Sequence, residues 1–417
     1  MDNAAPRAIV AAMRFDTDIA VVGGGLNGLT LALALARGPL HVTVIDTRPA
    51  EAGRAPDFDG RSYALANASA RLLRNLGLWD TLHGDAQPIN EIKVSDGRVG
   101  DGAALLGLHF ASAEIEEGPM GQMVEDRHLR AALLDAVGAN DRIDHRAPAT
   151  VTAQDMDDHG ATLTLADGGS LRARLVIGAD GRASGMAARA GIRRTGWPYR
   201  QSALVCAIAH EKPHHGTAHQ LFLPAGPLAI LPLKGNRSSI VWTERTGLAE
   251  EIAALPEADY LHVLRPRFGD FLGRIELAGA RYTYPLSLSL ADRLAAPRLA
   301  LVGDAAHGVH PIAGQGLNAG LKDVAALAQV LEEARRRGED IGAADVLERY
   351  ARWRRFDTAT LATATDLFNR LFSSDRPGLR LLRDAGMRAV QAAPGLRRNF
   401  IREAAGLTGD LPDLMRG

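Results

Sequence analysis

Residues 18–46 read DIAVVGGGLNGLTLALALARGPLHVTVID. A buried-strand run leads into a tight turn, then an apolar helix, then a second strand. Gly23-x-Gly25-x-x-Gly28 falls at the first strand-to-helix junction, where the dinucleotide fingerprint needs it. Gly23 admits the sharp turn, Gly25 lets a pyrophosphate approach the backbone, and Gly28 lets helix and strand pack closely. The helix start offers unpaired N–H groups and a positive dipole end to the phosphates. HVTVID ends on Asp46, where an acid can bind adenosine ribose hydroxyls. A glycine triplet alone is weak, since a plain turn uses the same residues. Strand, helix, second strand and terminal acid together make it a dinucleotide site. NAD and FAD share this geometry, so the loop does not choose between them.

A second glycine-rich loop does. Gly303 to Asp323 reads GDAAHGVHPIAGQGLNAGLKD. The preceding LALVG is a buried strand with Asp304 at its tip, placed to offer a carboxylate to sugar or ribityl hydroxyls. After Gly314 and Gly316 a helix begins, with Ala325, Leu327 and Leu331 at apolar positions. Its free N–H groups and dipole can stabilise negative charge. A nicotinamide enzyme has no use for such an end far along the chain. A reduced flavin carries negative charge at N1 and the C2 carbonyl, so a helix N-terminus there favours reduction. One loop holds the pyrophosphate of FAD and the other faces its ring.

The rest of the chain fills in an α/β plan. Arg61 to Leu73, RSYALANASARLL, has helical spacing at Leu65, Leu72, Leu73 and Leu76, which predicts a helix after Arg61. Arg61 itself reads equally as a phosphate contact or a solvated arginine. Ile89–Phe110 and Val151–Val176 alternate as antiparallel strands, and Glu125–Val137 is an amphipathic helix. LVIGADGRAS ends at Asp180-Gly181, another strand tip on the ligand-binding edge of a doubly wound sheet. Tyr199 to Tyr284 is sheet-rich, its apolar strands forming a two-sided core or lining a pocket.

These elements divide the chain into a Rossmann-like FAD-binding domain in three pieces, 16–86, 113–196 and 291–335. A sheet-rich substrate domain is interleaved at 87–112 and 197–290, and a helical C-terminus covers 336–417.

Bulk composition excludes several classes. The formal net charge of -1 provides no field for nucleic acid. One cysteine, Cys206, rules out a disulfide framework and a thiolate metal site. His307 and His310 are close in sequence but no acidic partner motif accompanies them, so no metal is expected. No apolar run reaches the roughly 20 residues of a membrane span, and a cytoplasmic protein is the expectation. Arg376 to Leu407 is basic and helical in pattern. It fits a membrane-surface helix or a docked helix with a solvated arginine face, and both readings stay open.

The three glycine-containing motifs resemble the FAD fingerprints of group A flavoprotein monooxygenases, the para-hydroxybenzoate hydroxylase fold. HPIAGQGLNAGLKD (His310–Asp323), RSYALANAS, YRQSALV (Tyr199–Val205), GPLAILPL (Gly226–Leu233) and TDLFNRLFSSD (Thr365–Asp375) narrow the match. Together they are similar to the ubiquinone-biosynthesis hydroxylases of the UbiH/UbiF/VisC type, from about Asp16 onward. The resemblance implies that Gly23, Gly25, Gly28 and Asp46 bind the ADP half, although the family more often has Glu at the last position. Arg61 and Arg127 would contact the phosphate and ribityl region, Asp304 would hold ribityl hydroxyls, and Asp180 and Gly303 would belong to the same cofactor-binding set. Pro311, Gly314, Gly316, Leu317 and Asn318 would surround the reactive edge of the flavin through their backbone, with His310 nearby.

The implied reaction hydroxylates the ring of a polyprenyl phenol by way of a flavin C4a-hydroperoxide. It takes O2 as co-substrate and NAD(P)H or a partner electron carrier as reductant. Tyr199, Tyr282, Tyr284, His219 and His310 are candidates for a proton relay, and none stands out as a catalytic base. A peripheral place at the inner face of a membrane, a quinone-biosynthesis complex and a homo-oligomer are compatible with the resemblance. The rival readings are a hydroxylase of another aromatic metabolite, an FAD-binding scaffold subunit, another flavoenzyme or a plain NAD-dependent dehydrogenase. A halogenase of this fold would show a WxWxIP segment, which Trp79, Trp197, Trp242 and Trp353 do not form.

Overall fold

Strand β1 (Thr17–Val22) lies inside an eight-stranded sheet, between β2 (Val42–Ile45) and Ser170–Gly178. The computed structural model that shows this describes residues 15–54, 57–98, 102–267, 269–309, 314–372 and 390–417. Beyond β2 comes Ile143–Arg146, and beyond Ser170–Gly178 comes Leu299–Leu301, all in parallel. A hairpin of Val151–Met156 and Ala161–Leu165 extends Ser170–Gly178 in antiparallel sense.

Parallel strands covered on both faces read as continuous apolar runs, and β2 is buried throughout. Helix α1 (Leu26–Leu35) is mostly apolar around its circumference because it is enclosed by the sheet and by helices Asp126–Gly138 and Gln315–Arg336. Each fully buried leucine there, such as Leu29 or Leu31, contributes about 2 kcal/mol.

The strand order has one decisive result. The carboxyl ends of β2, β1, Ser170–Gly178 and Leu299–Leu301 are neighbours. Asp46, Gly23, Asp180 and Asp304, spread over most of the sequence, therefore stand along one edge of the sheet.

A nine-stranded sheet forms the second layer. Its path runs from His307–Gly308 through Tyr282–Ala291, Arg194–His210, Arg237–Arg245, Gly226–Leu233 and Thr217–Leu223 to Glu91–Arg98 and Gly102–Ala111. The two sides of this sheet differ. Leu204, Cys206, Ile208 and Trp242 pack under helices Thr246–Ala253 and Glu257–Leu264. On the other side Ala207, Ala218 and Leu233 face Phe58 and Ala64.

The helix expected over residues 61–73 is a strand in its first half. Ser62–Ala66 (β3) pairs antiparallel with Gly121–Glu125, and the helix starts only at Asn67. Leucine spacing across RSYALANASARLL fits a helix, but S-Y-A-L-A also alternates. Pairing with a distant strand, which local spacing does not contain, decides the matter.

At the C-terminal end, helix Ala344–Phe372 packs on Gln315–Arg336. Helix Pro394–Ala404 lies against Gly102–Ala111, with Ile401 buried beside Phe110 and Met120. Arg397 pairs with Glu114 and Arg402 with Glu117, each at 2.8 Å. Leu396 and Phe400 point outward on the same helix. Residues 376–389 of the basic segment fall outside the described residues. Among the described residues no helix is long and apolar enough to cross a membrane.

Candidate functional site

The first loop is shaped by close backbone packing. Gly23 has φ +116°, and a Cβ there would collide with the carbonyl of Ala179 on the neighbouring strand. A Cβ on Gly28 would collide with the Gly23 carbonyl oxygen. Gly25, by contrast, caps the start of α1 and has nothing within 4 Å of where its Cβ would be. Its open side leaves room for a phosphate over the helix N-terminus.

Asp46 follows β2 directly and sits against Gly24, while its Oδ1 accepts the Arg48 amide at 2.9 Å. Beside it lies a small cavity that His145, Arg130 and Leu134 also line. The Nε2 atom of His145 is buried without a hydrogen-bond partner among the described residues. Burial pulls its pKa down, against the opposing pull of Asp46 and Asp144. His145 was not legible from sequence. It reaches this cavity only because Ile143–Arg146 is the strand next to β2.

The second loop adjoins the first through Asn27. Its side chain occupies the space where a Cβ on Gly303 or on Gly320 would have to go. Two glycines near residue 300 thus make room for a residue of the first loop. Gly303 gives its N–H to Asp323 Oδ2 at 3.0 Å. Asp304 projects half-exposed, its Oδ2 accepting Arg182 Nε at 3.1 Å. Arg194 bonds the backbone carbonyls of Asp304 and Ala305, tying the loop to the nine-stranded sheet.

Gly314, at φ +65°, caps the helix Gln315–Arg336, and the Cβ position of Gly316 opens onto free space. Leu317 packs on the main core. Asn318 uses its side chain, accepting from Ala66 N at 2.8 Å and donating to Ala64 O at 2.8 Å and Gly314 O at 3.0 Å. It fastens this helix start to β3. His310 and Pro311 lie outside the described residues.

The remaining expected residues have partners inside the chain. Asp180 accepts Ser184 Oγ at 2.6 Å and Met186 N at 3.0 Å, ordering the turn before helix Gly185–Arg189. Arg61 donates to Asp59 at 2.8 Å, stands 3.5 Å from Asp126, and lies under the Tyr282 ring at 5.7 Å. The bond to Asp59 raises its already high pKa. Arg127 donates to buried Glu125 at 2.8 Å, and Glu125 also receives Arg237 at 2.8 Å. Both arginines flank Phe58.

The inner face of the nine-stranded sheet closes the site. Cross-strand register sets Tyr282, Val205, Val241 and Ala229 in one row. Tyr284 stacks on Tyr282, centroids 6.2 Å apart and rings tilted by 15°. Burial raises the Tyr282 pKa, and the nearby Asp59 carboxylate adds to the rise. His219 is not on this face. It alternates with Ala218, sits against Phe271 at 4.5 Å, and is pushed down to about 4 by burial and by Lys93. Tyr199 belongs to a small cluster with Leu288, Val309 and Leu361.

Two helix N-termini with open glycine faces, and an acid beside each loop, fit an extended dinucleotide with a ring. Comparison with known proteins agrees. The family described as "FAD binding domain" matches residues 16–363. The chain is 48% identical to the ubiquinone hydroxylase UbiL of Rhodospirillum rubrum, over 96% of this chain and 92% of that one. It is 36% identical to the 3-demethoxyubiquinol 3-hydroxylase of Escherichia coli, over 94% and 99%. The p-nitrophenol 4-monooxygenase PnpA from Pseudomonas putida shares the fold, with TM-score 0.78 at 22% identity over 95% of this chain and 99% of that chain.

Proposed function

Since the chain belongs to the ubiquinone-biosynthesis hydroxylase family of FAD-dependent monooxygenases, we propose that it hydroxylates the ring of a polyprenyl-phenol intermediate of ubiquinone. One observation carries the reading at the level of the site. The helix N-terminus at Gly314 and the apolar inner face of the nine-stranded sheet meet at Ala64 of β3. A ring bound there lies between an electrostatic end and a dry, apolar wall.

When bound, FAD would supply the electrons that activate O2, one atom of which goes to the ring. The residues supply the rest. Gly23, Gly25 and Gly28 with the start of α1 hold the pyrophosphate, and Asp46 takes ribose hydroxyls. Asp304 takes ribityl hydroxyls, and the N–H groups after Gly314 stabilise negative charge at the reduced ring. Val205, Val241 and Ala229 exclude water and orient an apolar phenol. Arg61 and Arg127 belong to this reading as contacts on the phosphate and ribityl side. NAD(P)H or a partner electron carrier serves as reductant.

The outward Leu396 and Phe400, flanked by Arg398 and Arg402, support peripheral contact with a membrane holding the prenylated substrate. Quinone-intermediate profiling by mass spectrometry in a strain lacking the protein tests the main assignment. One under-hydroxylated polyprenyl phenol should accumulate and disappear on complementation. An unchanged profile removes the ubiquinone assignment.

A further inference from the structure

His307 is 1% exposed and lies on the short strand His307–Gly308, paired with Ser289 and Leu290. Its Nε2 stands 2.6 Å from Asp323 Oδ2, the same oxygen that accepts the Gly303 N–H at 3.0 Å. Asp323 has no solvent exposure, and its other oxygen takes Arg354 Nε at 2.7 Å. Arg354 continues to Asp357 at 2.6 Å, which also holds Lys322 at 2.7 Å. The chain of ions thus runs from helix Ala344–Phe372 through helix Gln315–Arg336 to the loop that carries Asp304.

A histidine is a poor choice for mere filling here. Its Nδ1 is buried with no hydrogen-bond partner among the described residues. Such an atom costs about 1–3 kcal/mol, which a leucine would avoid. Leucine, however, could not donate to Asp323.

We infer that His307 is a positioning residue for the flavin. By sharing one Asp323 oxygen with the Gly303 amide, the Nε2–H fixes the loop backbone and so the place of the Asp304 carboxylate. The helix that carries Asp323 is the one that starts at Gly314, so the same bond sets the distance between the two groups that meet the flavin. The inference rests on FAD binding and not on which phenol is hydroxylated, so failure of the substrate assignment leaves its test intact.

Two variants of the apo-protein separate the ring nitrogens. His307→Gln carries an amide nitrogen to the place of Nε2, and His307→Asn to that of Nδ1. FAD binding is read by flavin fluorescence and by the FAD-induced rise in Tm. The Gln variant should stay within about threefold of wild type, while the Asn variant binds about tenfold more weakly with a smaller FAD-induced rise. A role confined to packing would lower Tm equally with and without FAD and leave affinity unchanged, and that result overturns the inference. So does equal loss of affinity in both variants. If either variant fails to fold, nitrogen-15 histidine spectra of the wild type decide. A slowly exchanging Nε2–H on His307, with its Nδ1 signal shifting when FAD is loaded, sustains the inference. Absence of that proton, or spectra identical with and without FAD, overturns it.

Discussion

The two glycine loops are held in shape by different physical means. The loop at Gly23–Gly28 is built from backbone packed on backbone, Gly23 against Ala179 and Gly28 against Gly23. Apart from Asp46 at its rim, it uses no ionised group. The loop at Gly303–Gly320 is held by side chains, with Asn27 wedged between its glycines and a buried His307–Asp323–Arg354 network behind it. The difference lies in the anchoring. Gly23 needs only a close steric fit to the Ala179 backbone, while the loop after Gly303 is tied by directional bonds to Asp323 and Arg194.

The largest expected effect comes from stripping the second loop of its counter-charge. Arg354→Met leaves the Asp323 carboxylate buried with its main cation gone, and should destabilise the fold by about 3–5 kcal/mol in denaturant unfolding. A loss under about 1 kcal/mol would mean that the network does not brace the loop.

Gly28→Ala attacks the first loop by sterics alone. Its methyl meets the Gly23 carbonyl, so strand and helix must separate at a cost of about 1–3 kcal/mol, with loss of bound FAD. Wild-type flavin content in this variant would end the contrast between the loops.

Asp304→Ala removes a half-exposed carboxylate whose visible partner is Arg182. Folding stability should hardly change, while FAD affinity of the apo-protein falls about tenfold. Unchanged affinity would cancel the ribityl role.

The smallest effect is in pH dependence. Burial pushes the Asp323 carboxyl up, but His307 and Arg354 outweigh it and hold its pKa below the ordinary 3.8. The unfolded chain therefore takes up this proton first as pH falls. The contribution of Asp323 is whole above 3.8 and is lost as pH drops toward the lower folded value. Asp323→Asn should flatten that part of the acid-unfolding curve, measured by denaturant titration at a series of pH values. An equally steep curve in the variant would assign acid sensitivity elsewhere.

The first loop was readable residue by residue, because turn, helix start and terminal acid all lie within one βαβ stretch. Asp180 and Asp304 were readable as strand tips for the same local reason. Asn27, His145 and the pairing of His307 with Asp323 were not. Asn27 lies between Gly25 and Gly28, and its use depends on Gly303 and Gly320. His145 gains its place from the order of strands in the sheet. Ser62–Ala66 shows the converse error, where leucine spacing suggested a helix and a distant strand claimed the segment. Tyr282 and His219 were equal candidates by composition, and only strand alternation puts one on the inner face and the other behind it.

The sequence by itself determined that this chain has a dinucleotide loop, three strand-tip motifs and a late helix N-terminus, because glycine sterics and helix dipoles are local properties. Tertiary structure alone decided that these sites meet, which face of the second sheet turns to Ala64 beside the Gly314 helix start, and which buried ions hold the late loop. Sheet order and ion pairing join residues hundreds of positions apart, and no local pattern encodes that distance.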